Sequence, residues 1–227
     1  MGIIKKTFYT TVLTGTAFVG YVAGSTSIIR PLPRDDPIWK SNPFNRYNVQ
    51  NNPSTQDVCI KRVPLSKIRP ELLEKDGDLA LEFCRGVWAG WGYRSQRRIL
   101  ANKYQAETPD HLWSPRDLAT STYEPGTRIT DHFEVVEKTP SAITVRCGDS
   151  PVRNPGPRES DGLFVMYAEV DKERGEVELG LKSCFFDSKN KHDGILGPMP
   201  KYMETAHQWY SRLWMVSASR WVTKGIF

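Results

Sequence analysis

Metal-binding patterns are missing from this sequence, which has only four cysteines and four histidines in 227 residues. The cysteines are far apart, with no CxxC pair and no cluster of cysteine and histidine at zinc spacing; they are Cys59, Cys84, Cys147 and Cys184. The sequence also lacks a phosphate-binding P-loop, a GxGxxG dinucleotide turn, HExxH, GxSxG and an EF-hand loop. We therefore expect neither a bound metal nor a common cofactor.

A large excess of charge of one sign is also missing. The 31 basic residues are interleaved with 26 acidic residues along most of the chain, which leaves a net charge of +5. A nucleic-acid-binding protein normally concentrates its basic residues on one face. The even mixture indicates general solubility, and we predict no nucleic-acid partner. The composition, with 39% hydrophobic residues, is that of one globular domain with an appendage.

Long uncharged stretches are absent except at the N-terminus, where Thr7 to Ala23 contains no charged residue. At about 1.5 Å per residue in a helix, these positions span roughly 25 Å, which is marginally enough to cross a bilayer. We predict that residues 1–29 form a single-pass membrane anchor, with a cleaved signal peptide or a mitochondrial presequence as alternatives. The row Thr16, Gly20 and Gly24 would let two such helices approach closely and form a homodimer.

The next segment, residues 30–56, is rich in proline and asparagine, a composition that disfavours helix and favours extended structure. We interpret it as a tether between the membrane and a domain that comprises residues 57–227.

That domain has the pattern of an α+β fold. A short strand at residues 58–63 is followed by a helical pattern over residues 78–103. The period of the hydrophobic residues then changes to two and predicts a four-stranded antiparallel meander over Thr127–Glu137, Ala142–Gly148, Gly162–Asp171 and Glu176–Phe186. After two prolines, a last helix with a broad aromatic arc extends to about Val222 and is expected to pack on the sheet.

The helical pattern over residues 78–103 places Trp88 and Trp91 on its apolar face. Three glycines weaken this helix, so either a neighbour approaches closely or the helix breaks near the last of them; they are Gly86, Gly90 and Gly92.

The order of strand, helices, antiparallel strands and long C-terminal helix resembles the helix-grip layout of START and Bet v 1-like (SRPBCC) domains. The resemblance includes the strand pair around Gly126-Thr127-Arg128 and the aromatic last helix, and it covers about residues 57–223. It implies a cavity between sheet and helix, although about five strands are predicted here where that fold usually has seven. A hot-dog fold, with the helix of residues 78–103 at its centre, is the alternative.

Three short segments resemble a group of small uncharacterised fungal proteins, some of them encoded among metabolite-biosynthesis genes. The segments are Arg146-Cys147-Gly148-Asp149-Ser150-Pro151, Asp161-Gly162-Leu163-Phe164 and Leu181-Lys182-Ser183. The resemblance implies a metabolic context and carries no catalytic residue with it.

Asp131 and His207 are the candidates for acid-base chemistry. Alternation along the strand places Asp131 among apolar neighbours, and His207 lies at the border of the apolar arc of the last helix. An aspartate with a raised pKa, or an Asp-His pair, suits proton transfer on an enolisable or cyclising ligand. The alternative interpretation is that Asp131 lies in water near a strand end and that His207 is a surface residue.

Further side chains are expected to line the cavity and contact a ligand: Trp88, Trp91, Phe133, Tyr167, Ser183, Tyr210 and Trp214. The same alternation places His132, Glu134 and Arg146 on the opposite face of the sheet, and we assign them no catalytic role.

The sequence therefore predicts a membrane-anchored helix-grip domain that binds a hydrophobic small molecule. Its activity would be cofactor-free acid-base chemistry, of the cyclase or isomerase type, on a polyketide- or terpenoid-like metabolite. Two alternatives are a non-enzymatic protein for lipid binding or membrane assembly, and a hot-dog thioester hydrolase.

Overall fold

A computed structural model describes residues 16–224 of the chain. A first helix, α1, extends through residues 16–24. The other helices are α2 (Asn42–Tyr47), α3 (Asp78–Ala89), α4 (Arg94–Tyr104), α5 (Pro115–Thr120) and α6 (Lys201–Val222). The strands are β1 (Ser27–Ile29), β2 (Thr55–Pro64), β3 (Arg128–Ile129), β4 (Phe133–Lys138), β5 (Ala142–Gly148), β6 (Asp161–Asp171) and β7 (Glu176–Phe186). Short 3-10 helices cover Pro37–Lys40, Leu65–Lys67 and Pro70–Leu73.

The seven strands form one antiparallel sheet in the order β1-β2-β7-β6-β5-β4-β3. The consecutive strands β3 to β7 pair as neighbours. β2 pairs with β7 along its full length and with the edge strand β1 on its other side. The predicted α+β class, with an antiparallel sheet and a long C-terminal helix, is confirmed. This arrangement is consistent with a helix-grip fold.

The first strand of the predicted meander is divided in two. Thr130 and Asp131 have φ angles of 44° and 70°, in the left-handed region that side chains seldom adopt. The two residues form a turn between β3 and β4, which adds one strand to the predicted count. Because the turn interrupts the extended backbone, the alternation of faces is reset after residue 131.

The helices α3 and α6 pack together over one side of the sheet, here called the inner face. Their shared core with the sheet includes Cys59 of β2, Met166 of β6 and Leu181 of β7. Gly86 lies where the helices meet, because a Cβ atom there would be 2.8 Å from the carbonyl oxygen of Ala218. The predicted close approach at a glycine is therefore present.

The helical segment of residues 78–103 is not one helix, because the chain turns at Gly90 between α3 and α4. A Cβ atom at Gly90 would be 2.3 Å from the carbonyl oxygen of Gly86 and 2.4 Å from the Ser217 hydroxyl. The hot-dog alternative required a single long helix over this segment. The longest described helix is instead α6, with 22 residues near the C-terminus.

The opposite side of the sheet, the outer face, is covered by residues 30–56. Leu32, Ile38 and Phe44 are buried against a second apolar cluster that includes Leu163 of β6 and Phe186 of β7. The segment predicted as a tether thus packs on the domain, and the predicted boundary at residue 57 falls inside β2. Proline suits this role, since the segment covers the sheet without needing to pair with it.

The N-terminal helix α1 leads directly into the edge strand β1. No helix within residues 16–224 is both long and apolar enough to cross a membrane. Residues 1–15 of the predicted anchor lie outside the described part of the chain, so the anchor stays a prediction. Gly20 and Gly24 of the predicted dimerisation row border open space, and the homodimer likewise stays a prediction.

Candidate functional site

A cavity of about 250 Å³ lies between the inner face of the sheet and α6. Strands β4 to β7 form its floor, α6 forms one side and α4 contributes Gln96 to its wall. Its lining residues are Gln96, His132, Phe133, Cys147, Gly148, Phe164, Phe185, His207, Tyr210, Ser211 and Trp214. Five of these are aromatic rings of Phe, Tyr or Trp and two are histidines, so the walls are mainly apolar with two titratable side chains.

The aromatic wall is held in place by Trp88, which lies behind it in the core. The Trp88 ring centroid is 4.9 Å from that of Phe133 and 5.6 Å from that of Trp214. Phe164 and Tyr210 also contact Trp214, at 5.5 and 5.0 Å. Tilted and edge-to-face contacts at these distances are favoured arrangements of aromatic rings. The rings on this side of the cavity therefore stabilise one another's positions.

His132 is paired with the buried carboxylate of Asp131. The His132 Nδ1 atom lies 2.9 Å from Asp131 Oδ2, although without the alignment of a hydrogen bond. Burial lowers the pKa of His132 below its usual value, and the adjacent Asp131 carboxylate opposes that shift. Burial has the larger effect, so His132 is a neutral imidazole at neutral pH.

Asp131 itself is fully buried and is bound from three directions. The Ser150 hydroxyl donates a hydrogen bond of 2.9 Å to its Oδ1 atom, and Arg153 forms an ion pair with Oδ2. Its backbone N–H donates to Nδ1 of His111 at 3.2 Å. The contacts of Ser150 and Arg153 satisfy the buried carboxylate and hold the loop after β5 beside the cavity.

Arg153 also connects this pair to α4. Its guanidinium lies 4.3 Å from the ring centroid of Tyr104, and that ring is 4.9 Å from the ring of His132. The imidazole is thus held between Asp131 and a tyrosine that is itself covered by an arginine. This arrangement restricts rotation of the His132 ring.

His207 forms a second pair with a buried carboxylate, that of Asp57. Its Nε2 atom lies 3.1 Å from the Ser183 hydroxyl, 3.3 Å from the Ser211 hydroxyl and 3.6 Å from Asp57 Oδ1. Asp57 and Ser183 are cross-strand neighbours on β2 and β7, directly beneath α6. The Phe185 ring packs edge-on against the imidazole with centroids 5.1 Å apart.

This second group does not have the geometry of a serine-nucleophile triad. In such a triad the acid and the serine contact different ring nitrogens of the histidine, so that a proton can pass between them. Here Ser183 and Asp57 both approach the same atom, His207 Nε2. Ser183 is therefore not placed as an activated nucleophile.

Two other lining residues have little acidity of their own. Burial, with the nearby Asp161 carboxylate, raises the pKa of the Cys147 thiol far above its usual value, so it stays protonated. Burial also raises the pKa of the Tyr210 hydroxyl. Neither side chain is a nucleophile at neutral pH, and both contribute polarity and shape to the cavity.

Five of the predicted ligand-contacting residues lie at or beside the cavity. Phe133, Tyr210 and Trp214 line it, Trp88 supports the aromatic wall from behind, and Ser183 contacts His207.

The two predicted catalytic residues do not form the expected pair. Asp131 contacts Ser150, Arg153 and His132, whereas the carboxylate beside His207 is that of Asp57. Each residue instead belongs to its own carboxylate-histidine pair. The two histidines of these pairs, His132 and His207, line the same cavity.

The remaining two predicted contacts are corrected. Trp91 follows the end of α3, is 41% exposed, and contacts Phe18 of α1 outside the cavity. Tyr167 lies on the outer face of the sheet, where its hydroxyl donates to Glu178 at 3.0 Å. Both faces of the sheet are covered with apolar residues, so hydrophobic alternation does not reveal which face Tyr167 takes.

His132 and Asp57 were not predicted as site residues. The alternation rule placed His132 on the opposite face because it assumed an unbroken strand through residue 131. An aspartate tolerates left-handed backbone better than most residues, which makes Asp131 the one available signal of a break. The signal for Asp57 is an acidic residue directly before the apolar residues of β2.

Comparisons with protein-family models, with curated protein sequences and with solved structures give no match for this chain.

Proposed function

We propose that the cavity binds a hydrophobic small molecule and that the two histidines transfer protons on it. The observation that carries this proposal is the placement of His132 and His207, each paired with a buried aspartate, in the wall of one aromatic cavity. A concave apolar site with a few convergent polar groups is the usual form of a small-molecule site. The volume of about 250 Å³ is slightly below the usual range and suits a ligand of one or two rings.

The two histidines are suited to opposite steps of the same reaction. His132, whose pKa is lowered by burial, is a neutral base that can accept a proton from an acidic C–H or O–H of the ligand. The His207 Nε2 atom, 3.1 Å from the Ser183 hydroxyl and on the cavity wall, is placed to donate a proton to a carbonyl oxygen of the ligand. One proton is accepted and one is donated, so the net reaction is an isomerisation or a cyclisation that needs no cofactor.

The resemblance to fungal proteins encoded among metabolite-biosynthesis genes supports a polyketide- or terpenoid-like ligand. Its segments lie close to the site: Cys147 and Gly148 line the cavity, Ser150 binds Asp131, and Ser183 contacts His207. An enolisable aromatic or polyketide ring fits both the apolar walls and the paired histidines.

A non-enzymatic carrier is the second candidate function. The observation that favours it is the fixed aromatic wall around Trp88, which would bind a flat apolar ligand without any proton transfer. A carrier and an enzyme both need the cavity, but only the enzyme needs the histidines.

Binding is tested with 2-naphthol, a fluorescent two-ring phenol, and a matched pair of variants on α4. Gln96 lines the cavity and Ser95 is exposed beside it, so Gln96→Trp places a larger side chain in the cavity wall and Ser95→Trp does not. We expect saturable binding to the wild type and to Ser95→Trp, and at least about tenfold weaker binding to Gln96→Trp. Equal affinities for the two variants would place the ligand elsewhere and refute the proposed site.

Proton transfer is tested with the same probe, because excited 2-naphthol releases a proton and emits as naphtholate when a base is in contact. We expect naphtholate emission from the bound probe in the wild type and its loss in His132→Phe, with binding retained. Unchanged emission in His132→Phe and His207→Phe would refute the acid-base role. The carrier function would then be the one that remains.

A further inference from the structure

A second concave surface lies at the C-terminal end of β2. The loops that carry Asn52 and Lys191 lie at the other end of the sheet. This groove of about 770 Å³ is bordered by the end of α1, the end of β2 and the last turn of α6. Its lining includes five basic side chains and no acidic one: Lys61, Arg62, Lys67, Arg220 and Lys224. We call it the basic groove.

Four of these five cations have no acidic partner among residues 16–224. Arg62 forms ion pairs with Glu176 and Glu178, at 3.4 and 2.7 Å. The other four have no carboxylate of the described chain within ion-pair distance; they are Lys61, Lys67, Arg220 and Lys224. Unneutralised cations concentrated in one concavity produce a positive potential that attracts anions.

The neighbouring surface of α1 is apolar and exposed. Phe18, Val19 and Tyr21 are 41%, 50% and 52% exposed. Tyr21 lines the groove and its ring lies 5.3 Å from the Lys61 ammonium, so the apolar surface and the basic groove are continuous. On the other side Phe18 contacts the exposed Trp91 at 6.2 Å between ring centroids.

Exposed aromatic rings next to lysine and arginine are the combination that proteins use at the surface of a membrane. Tyrosine and tryptophan lie at the level of the lipid headgroups, and basic side chains bind anionic headgroups. A soluble anion would need the cations but would give no reason for the exposed rings. In the sequence, Thr7 to Ala23 contains no charged residue.

We infer that this surface, formed by the basic groove with Phe18, Val19, Tyr21 and Trp91, docks on an anionic lipid bilayer. The folded body then lies against the membrane, with the last turn of α6 and the end of β2 at the headgroups. This contact is separate from any anchoring by residues 1–15, since it depends on charge rather than on insertion of a helix.

The test compares two double charge reversals of the full chain. Lys67→Glu with Arg220→Glu reverses two exposed cations of the groove, and Arg116→Glu with Lys191→Glu makes the same change of net charge elsewhere. All four positions are exposed, so both proteins should fold, which equal thermal midpoints would verify. The readout is partition onto vesicles of phosphatidylcholine alone and of phosphatidylcholine with phosphatidylserine in equal parts.

Each basic residue near an anionic surface strengthens binding by about fivefold. We therefore expect the wild type to favour the phosphatidylserine vesicles by at least about tenfold, and the control variant to keep that preference. The groove variant should lose it. Retention of the preference by the groove variant, its loss in both variants, or its absence in the wild type would each overturn the inference.

The result is independent of the proposed activity. Lys67 and Arg220 do not line the cavity, so naphthol binding should be the same in the wild type and in both double variants. A failure of docking with intact naphthol binding would remove the membrane surface and leave the cavity proposal standing.

Discussion

Replacing Gly86 with alanine should destabilise the protein, although the same change in an ordinary helix is stabilising. Alanine is favoured over glycine in a helix interior by about 1 kcal/mol. At position 86, however, the new methyl group would lie 2.8 Å from the Ala218 carbonyl oxygen and 2.8 Å from Trp221 Cγ. Carbon atoms normally pack at about 3.5 to 4.0 Å, so α3 and α6 would have to separate.

The size of the effect follows from these two opposing contributions. Forcing an extra methyl group into a packed core costs about 1 to 3 kcal/mol, and the contacts of Gly86 justify the upper part of that range because one neighbour is backbone. After the gain in helix propensity, we expect Gly86→Ala to lower the free energy of unfolding by about 1 to 2 kcal/mol. For a chain of this length that corresponds to a melting temperature lower by roughly 3 to 6 °C.

The matched control is Gly20→Ala in α1, where a Cβ atom meets no other atom within 4 Å. It should leave the melting temperature unchanged or raise it slightly. Circular dichroism melts of the two variants and the wild type decide the outcome. A melting temperature for Gly86→Ala at or above that of the wild type would show that the helices can separate at no cost and would refute the packing argument.

Three further outcomes are expected. Asp161→Asn should lower the free energy of unfolding, measured by urea titration, by about 3 to 5 kcal/mol. The reason is that the buried Arg146 guanidinium loses the carboxylate that it binds at 2.9 and 2.6 Å. The control Asp171→Asn, in an exposed ion pair, should change the free energy of unfolding by under about 0.5 kcal/mol. Burial lowers the pKa of His132, so just below about pH 6.5 the unfolded chain binds more protons than the folded one, and the free energy of unfolding decreases as the pH is lowered. His132→Gln should reduce this decrease. An identical decrease in the variant would contradict the lowered pKa. All four cysteines are buried free thiols with raised pKa values. Ellman's reagent should therefore react with none of them in the native protein and with all four in urea. Rapid labelling of the native protein would contradict their burial.

The longest periodic segments were the most predictable from the sequence. The predicted meander corresponds to β3 to β7, and the last helix ends at Val222 as expected. These elements have hydrophobic periods that repeat over many residues, so a single exception does not hide them. A break near Gly92 was one of the two predicted outcomes, because three glycines in seven residues weaken a helix.

The site was less predictable, because it depends on contacts between residues far apart in the sequence. Asp57 and His207 are 150 positions apart in the sequence. They come together because β2 pairs with β7 beneath α6. The face of His132 depends on two left-handed residues that alternation cannot detect. Proline in residues 30–56 disfavours long helices, but it does not determine whether the segment lies on the sheet or away from it.

The covering of the outer face by residues 30–56 has a consequence for synthesis of the protein. These residues leave the ribosome early, whereas Leu163 and Phe186, against which they pack, are made more than a hundred residues later. Until β6 and β7 are made, Leu32, Ile38 and Phe44 lack part of the sheet surface against which they pack. A form of the protein that begins at residue 57 would meet the reverse problem. Its sheet would lack β1, and the outer face would be bare while α3 and α6 still cover the inner face. An exposed apolar face of that kind promotes aggregation.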